Sequence, residues 1–170
     1  MLRGRWSVAL SPAPPRCDLD RERAVIDTVL EAIRARVVTS AHDCADGGLA
    51  VALAECMMAD RAEPFGATVD LSPWNALPLR AVLFGEAQGR VIISTAEPDR
   101  VLAVAASHGV PARRIGTVTP AADGLTVTGG DRTLRADVAS LAAAYHDTLP
   151  GIMTGSPQAI MAEETDGVVP

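Results

Sequence analysis

The chain has 170 residues, 48% of them apolar and 21% charged, which excludes wholesale disorder and is long enough for one domain to bury a core without disulfides or metal. Fifteen basic against twenty-one acidic residues leave a net charge of −6, the wrong sign for the basic surplus of a nucleic-acid binder. Every one of the fifteen cations is arginine, so Schiff-base and phosphate-loop lysine chemistry are both excluded within the chain.

Residues 1 to 17, with Pro12, Pro14 and Pro15 and no period, read as an irregular lead-in. No apolar run of signal-peptide form follows the first residues, and the most apolar stretch, Leu49 to Met58, is broken by Glu55. The expectation is a protein without a membrane span. Cys17, Cys44 and Cys56 are odd in number and form no C-x-x-C pair, which argues against a disulfide framework or a zinc site and fits a reducing cytoplasm. From Asp18 or Asp20 as cap, a helix is predicted over about 20–36, with Ile26, Val29, Leu30, Ile33 and Val37 as its core face.

The β-branched run Val37-Val38-Thr39 predicts a short buried strand leading into Ser40-Ala41-His42-Asp43. A loop with Asp46-Gly47-Gly48 follows, then a helix from Leu49 to about Asp60. Ala67 to Leu71 reads as a strand, and Leu79 to Phe84 as a short element whose type stays open. Arg90 to Thr95 is the clearest strand. Pro98 and Gly109 bracket a helix as first-turn and C′ residues. Three strands near 114–118, 124–128 and 133–135 are separated by glycine turns and suggest antiparallel pairing. Asp137 caps a last helix bearing Val138, Leu141, Tyr145 and Leu149, with Pro150-Gly151 as its stop. Residues 151–170 read as a disordered tail, leaving 18–150 as the domain. Helices and strands are mixed in order, so the fold class is α+β (mixed α/β), a mixed sheet with helices packed on it. Trp74, Leu77, Leu79 and Phe84, in or beside loops, are candidates either for an exposed interface or for core.

Two clusters could carry chemistry. His42 and Asp43 stand at a strand end, where α/β sheets often place ligands. Gly47-Gly48 would let backbone approach a phosphate at a helix N-terminus, and Asp43 could be a Mg²⁺ ligand. The structural reading of the same residues has Asp46 as N-cap, a tight glycine turn and a hydrogen-bonded His42; on spacing alone it prevails. In Phe84-Gly85-Glu86-Ala87-Gln88-Gly89-Arg90, Glu86 and Gln88 could grip a polar ligand while Arg90 meets an anion. There the structural reading is a glycine-bounded loop in which Glu86 pairs with Arg90, and it too prevails on spacing. Cys44, two residues from His42, reads as a passenger thiol, since a nucleophile needs both a base and an orienting group.

The run Ser40-Ala41-His42-Asp43-Cys44-Ala45-Asp46-Gly47-Gly48-Leu49-Ala50-Val51-Ala52-Leu53-Ala54-Glu55 resembles the S-A-H-D-x-S-D-G-G-L-A-V-A-L-A-E signature of phosphoribosylformylglycinamidine synthases. Leu83-Phe84-Gly85-Glu86-Ala87-Gln88-Gly89-Arg90-Val91 is similar to that family's L-F-G-E-S-Q-S-R-V. The stretch from Gly109 to Val118 resembles its G-V-P-x-x-x-I-G-x-V. The resemblance covers about residues 12 to 150 and points to the last domain of a much longer subunit, of the aminoimidazole-ribonucleotide-synthetase C-terminal type. It implies a fragment or split part of an ATP-dependent ligase of purine biosynthesis, which converts formylglycinamide ribonucleotide to the amidine. It implies Mg²⁺ and ATP or ADP in the full enzyme and none held by this chain alone. The implied partners are the remaining synthase domains and the glutaminase and small subunits, with a homodimer as a further option. The resemblance makes Asp43 the metal position and sets His42, Asp46, Gly47, Gly48, Glu86, Gln88 and Arg90 beside nucleotide or substrate. It assigns no catalytic residue here. Ala45 and Ala87 stand where the family has serine, so both hydroxyls are lost and a mainly structural role is expected. The alternatives are a non-catalytic docking module and a C-terminal domain from a relative such as aminoimidazole ribonucleotide synthetase, selenophosphate synthetase or a hydrogenase-maturation protein.

Overall fold

The computed structural model of the protein describes residues 17–154, so the expected lead-in and tail lie almost wholly outside the described residues. Helix α1 (Leu19–Arg34) starts where Asp18 Oδ1 accepts the Arg21 N–H at 3.2 Å. Asp20 and Glu22 in its first turn and Arg34 in its last complement the helix dipole. It ends with Arg36 in the left-handed region, φ 56°, while the Arg36 and Val37 N–H groups donate back to Ile33 and Ala32.

Of the five residues expected on the core face of α1, Val37 is buried and Val29 half-buried, but the other three are not. Val25, Thr28 and Ala32 are buried, whereas Ile26, Leu30 and Ile33 are exposed. The neighbour is helix α4 (Pro98–Ser107), and Ala32 and Val101 share a small core with Val37. Small side chains let the two helix backbones approach closely, so the aliphatic stripe turns outward. His108 Nε2, 2.8 Å from Glu31, ties the pair at its edge. The end of α4 follows its glycine signal: Gly109 has φ 67°, and the Gly109 and Val110 N–H groups donate to Ala106 and Ala105.

Strands β1 (Ser40–Asp43) and β3 (Val91–Ser94) form an antiparallel ribbon with His42 opposite Ile92 and Asp43 opposite Val91. The strand begins after the Val37–Thr39 run instead of within it, and only His42 on it is even half-buried. The reason is that Val37 serves the α1–α4 core before the chain reaches the ribbon.

The second sheet has the order β4-β2-β5-β6, from β2 (Phe65–Asp70), β4 (Gly116–Pro120), β5 (Leu125–Gly129) and β6 (Arg132–Ala136). Strands β5 and β6 form the expected hairpin, but β4 does not pair with β5. Strand β2 lies between them, antiparallel to β4 and parallel to β5. Its burial alternates through Ala67 and Val69, and β5 answers with Leu125 and Val127. Helices α2 (Gly48–Met58), α3 (Leu79–Phe84) and α5 (Val138–His146) contribute Leu49, Leu53, Met57, Leu83 and Val138 to the same core. Trp74 and Leu79 pack against that core, while Leu77 and Phe84 are exposed. Asp137 caps α5 by accepting the Ser140 N–H at 2.7 Å. Pro150-Gly151 does not stop the helical chain. A break at Asp147 does, and α6 (Thr148–Met153) runs through the pair with Pro150 in its first turn, where a missing N–H costs nothing.

Candidate functional site

The ribbon brings the two sequence clusters together. Pairing of Asp43 with Val91 sets the end of β1 beside the start of β3, and the Cys44 N–H donates to the Arg90 carbonyl at 3.0 Å. The loop of residues 85–90 then lies across the N-terminus of α2.

Asp46 is not the cap of α2. It is exposed, and the cap is Gly47 in the left-handed region at φ 74°. The capping carboxylate arrives from the other cluster: Glu86 Oε1 accepts the Gly47 N–H at 2.9 Å. A carboxylate at that position takes up an orphan amide and the positive end of the helix dipole. Gly48, at φ 70°, is required for a different reason from phosphate approach: a Cβ there would lie 2.7 Å from the Leu83 carbonyl oxygen. Gly48 therefore lets α2 abut the C-terminal end of α3.

Arg90 does not pair with Glu86. Its guanidinium donates to the Gly85 and Val82 carbonyls at 2.7 and 3.0 Å, closing the C-terminal end of α3. Charge-assisted bonds to orphan carbonyls suit a cation there, and they turn the guanidinium toward α3. Gln88 and Ala87 are exposed.

His42 Nδ1 donates to the Asp43 carbonyl at 2.6 Å, since that oxygen can only accept. The opposite nitrogen lies 3.3 Å from Glu55 Oε2. The Glu55 carboxylate also pushes the pKa of the Tyr145 phenol up, through hydrogen bonding first and charge second. Sequence reasoning quoted Glu55 in a motif but gave it no role. The available signal was an acid interrupting an otherwise apolar helix, which demands a partner.

Cys44 is buried at 3% exposure. Desolvation raises its pKa, opposed by the Arg90 charge and aided by Asp43. Burial likewise pushes the Cys56 thiol up, with the Cys44 and Glu55 charges adding to it. Neither is an activated nucleophile, because the thiolate is the reactive form.

The donor set does not fit a resident Mg²⁺. Asp43 is exposed, and among the described residues no three acidic, histidine or cysteine side chains converge on a point. That cation wants six oxygens in near-octahedral array. A nucleotide phosphate fares no better while Glu86 holds the Gly47 amide. The arrangement can bridge α2, α3 and the β1–β3 ribbon. A hollow of about 330 Å³ lies elsewhere, between Trp74, Leu79 and the β5–β6 turn, and none of the motif residues lines it.

The profile of the family described as AIR synthase related protein, C-terminal domain, matches residues 4–128. A phosphoribosylformylglycinamidine synthase subunit PurL from Methylocella silvestris is 45% identical over 147 residues, which are 85% of this chain and 18% of that protein. The subunit of the same name from Anaeromyxobacter sp. (strain Fw109-5) is 40% identical over 150 residues, 82% of this chain and 18% of its own length. The chain thus spans about a fifth of the length of the curated relatives it matches. Among solved structures, phosphoribosylformylglycinamidine synthase II from Thermotoga maritima superposes with a TM-score of 0.65 at 22% identity, over 75% of this chain and 22% of that one. PurL of Thermotoga maritima complexed with ADP gives 0.64 at 22% identity, over the same shares of the two chains. These likenesses confirm the α+β fold expected from the sequence. No described helix is long and apolar enough to cross a membrane.

Proposed function

Because the chain belongs to the family of AIR synthase related protein C-terminal domains, we propose that it is the C-terminal domain of a phosphoribosylformylglycinamidine synthase, with a folded unit that runs from residue 18 through the end of α6 at Met153. In that role it serves the cytoplasmic, ATP-dependent conversion of formylglycinamide ribonucleotide and glutamine-derived ammonia to the amidine, ADP and phosphate. The identity of 40–45% to synthase subunits over more than four fifths of the chain carries this reading. Its partners are the remaining synthase domains, which would hold Mg²⁺ and nucleotide, and the glutaminase and small subunits.

Within that assembly the chain's own motif residues act as a scaffold. Glu86 holds the amide end of α2, Arg90 holds the carbonyl end of α3, and His42 links the ribbon to Glu55 on α2. Ala45 and Ala87 stand where the resembled motifs carry serine, so neither supplies a hydroxyl to a ligand. The docking-module reading differs only in denying the chain a part in turnover.

One experiment separates them. The Methylocella silvestris subunit truncated of its matching fifth is assayed for ATP- and glutamine-dependent phosphate release, with and without this chain. Restored release supports the synthase reading. Binding without restored turnover, under conditions where the intact relative is active, favours the docking module, and neither binding nor turnover discards both. The chain by itself is expected to release no phosphate.

A further inference from the structure

We propose that α1 is a self-association surface through which two copies of this chain pair their α1 helices antiparallel. Leu19, Ile26, Leu30 and Ile33 lie on one stripe of the helix and are 77%, 58%, 41% and 48% exposed. The opposite face, Val25, Thr28 and Ala32, is the one turned into the fold. A single exposed leucine is ordinary. Four large aliphatics along about 21 Å of one helix form a continuous apolar seam of the kind that marks an interface.

The pattern of that seam selects the occupant. Leu19, Ile26 and Ile33 recur every seven residues, with Leu30 one turn from Ile26, so the stripe stays on one side along the helix. In an antiparallel pair with the two-fold axis at Ile26, Ile26 meets its own copy and Leu19 meets Ile33. An isologous interface demands this reciprocity of residue pairs. The same register sets Arg34 against Asp18, at the end where Asp20 and Glu22 add negative charge. Among the described residues Arg34, Asp18, Asp20 and Glu22 form no ion pair within the chain. Antiparallel helices also set each dipole's positive end beside the other's negative end. The seam is narrow against a standard interface of roughly 1,600 Å², so the dimer is weak and concentration-dependent.

Sedimentation equilibrium on the full chain tests this. The mass should rise with concentration from 17.6 kDa toward twice that value. Ile26→Glu should weaken association at least about tenfold, equivalent to about 1.4 kcal/mol, and Leu77→Glu, at an exposed site away from α1, should leave it unchanged. In a Cys17→Ser background, Ile26→Cys should cross-link to its own copy on oxidation, whereas Leu77→Cys should not. The cross-linking arm decides the matter if Ile26→Glu disturbs folding by circular dichroism. A 17.6 kDa species at every concentration, as expected if another polypeptide covers the stripe, overturns the proposal. So does association that Ile26→Glu leaves intact in a folded protein, or failure of Ile26→Cys to cross-link.

Discussion

The two hydrophobic cores of this molecule are built by opposite means. The larger joins the four-stranded sheet to α2, α3 and α5 through twelve buried residues, most of them Leu, Val and Met. The smaller joins α1, α4 and the ribbon through Ala32, Val37 and Val101, with Val38, Ile93 and Val104 beside it. In the first, large side chains point inward and separate the layers. In the second, α1 turns its smaller side chains, Val25, Thr28 and Ala32, inward and leaves Ile26, Leu30 and Ile33 facing out. Burying apolar surface stabilises in proportion to area, and the larger core therefore dominates the stability of the whole. The smaller core takes its geometry from closeness and retains little stability of its own.

Replacing Leu53 by Ala should break the larger core at its centre. The expected loss is about 2–5 kcal/mol for a buried leucine in a packed site, read as a lowered midpoint in urea denaturation. A loss no greater than that at an exposed leucine such as Leu77 would contradict the hierarchy drawn above. In the smaller core the damaging change is an enlargement. Ala32 is fully buried between α1 and its neighbours, so Ala32→Leu should cost about 1–3 kcal/mol by overpacking. Hydrogen exchange should speed up in α1 and α4 while β2 and β5 keep their protection.

The boundary between the regions is the 85–90 loop. Glu86→Ala removes the acceptor for the Gly47 N–H and should cost about 1 kcal/mol, the usual scale for a lost helix cap. Amide exchange at residues 47–49 should report it first. The smallest effect concerns α5. The Asp137 pKa is lowered, chiefly by its side-chain and backbone bonds to Ser140. A lowered carboxylate contributes stability that is complete above its unfolded pKa and is lost as pH falls through the folded one. The window therefore lies below the ordinary value of 3.8. Asp137→Asn keeps a capping oxygen but cannot titrate, so the gap in melting temperature between the two proteins should hold from pH 6 to about pH 4 and close only as pH falls below 3.8. A gap that stays constant with pH would remove the charge from the explanation.

Local chemistry was the readable part of the sequence. Asp18 and Asp137 as caps, Pro98 and Gly109 as helix brackets, and the Arg90–Thr95 run all act within a few residues of themselves, and the structure uses each as read. The α2 cap is not legible locally because its carboxylate, Glu86, comes from 39 residues away. Asp46 is the nearest plausible acceptor of the same kind, and nothing local distinguishes the two.

What the sequence determined by itself, then, is most of the element order, the α+β class and the two motif clusters that carry the family resemblance. Each rests on capping, turn or periodicity signals that operate over one or two turns of chain. Tertiary structure alone decided that β2 enters between β4 and β5, that Arg90 closes α3 instead of awaiting an anion, and which face of α1 is inside. Periodicity shows that a helix has an apolar stripe, but not what stands opposite it. On α1 the partner within the chain, α4, fits Val25, Thr28 and Ala32, and the more hydrophobic stripe is left to the surface because close approach of two helices rewards small side chains over large ones.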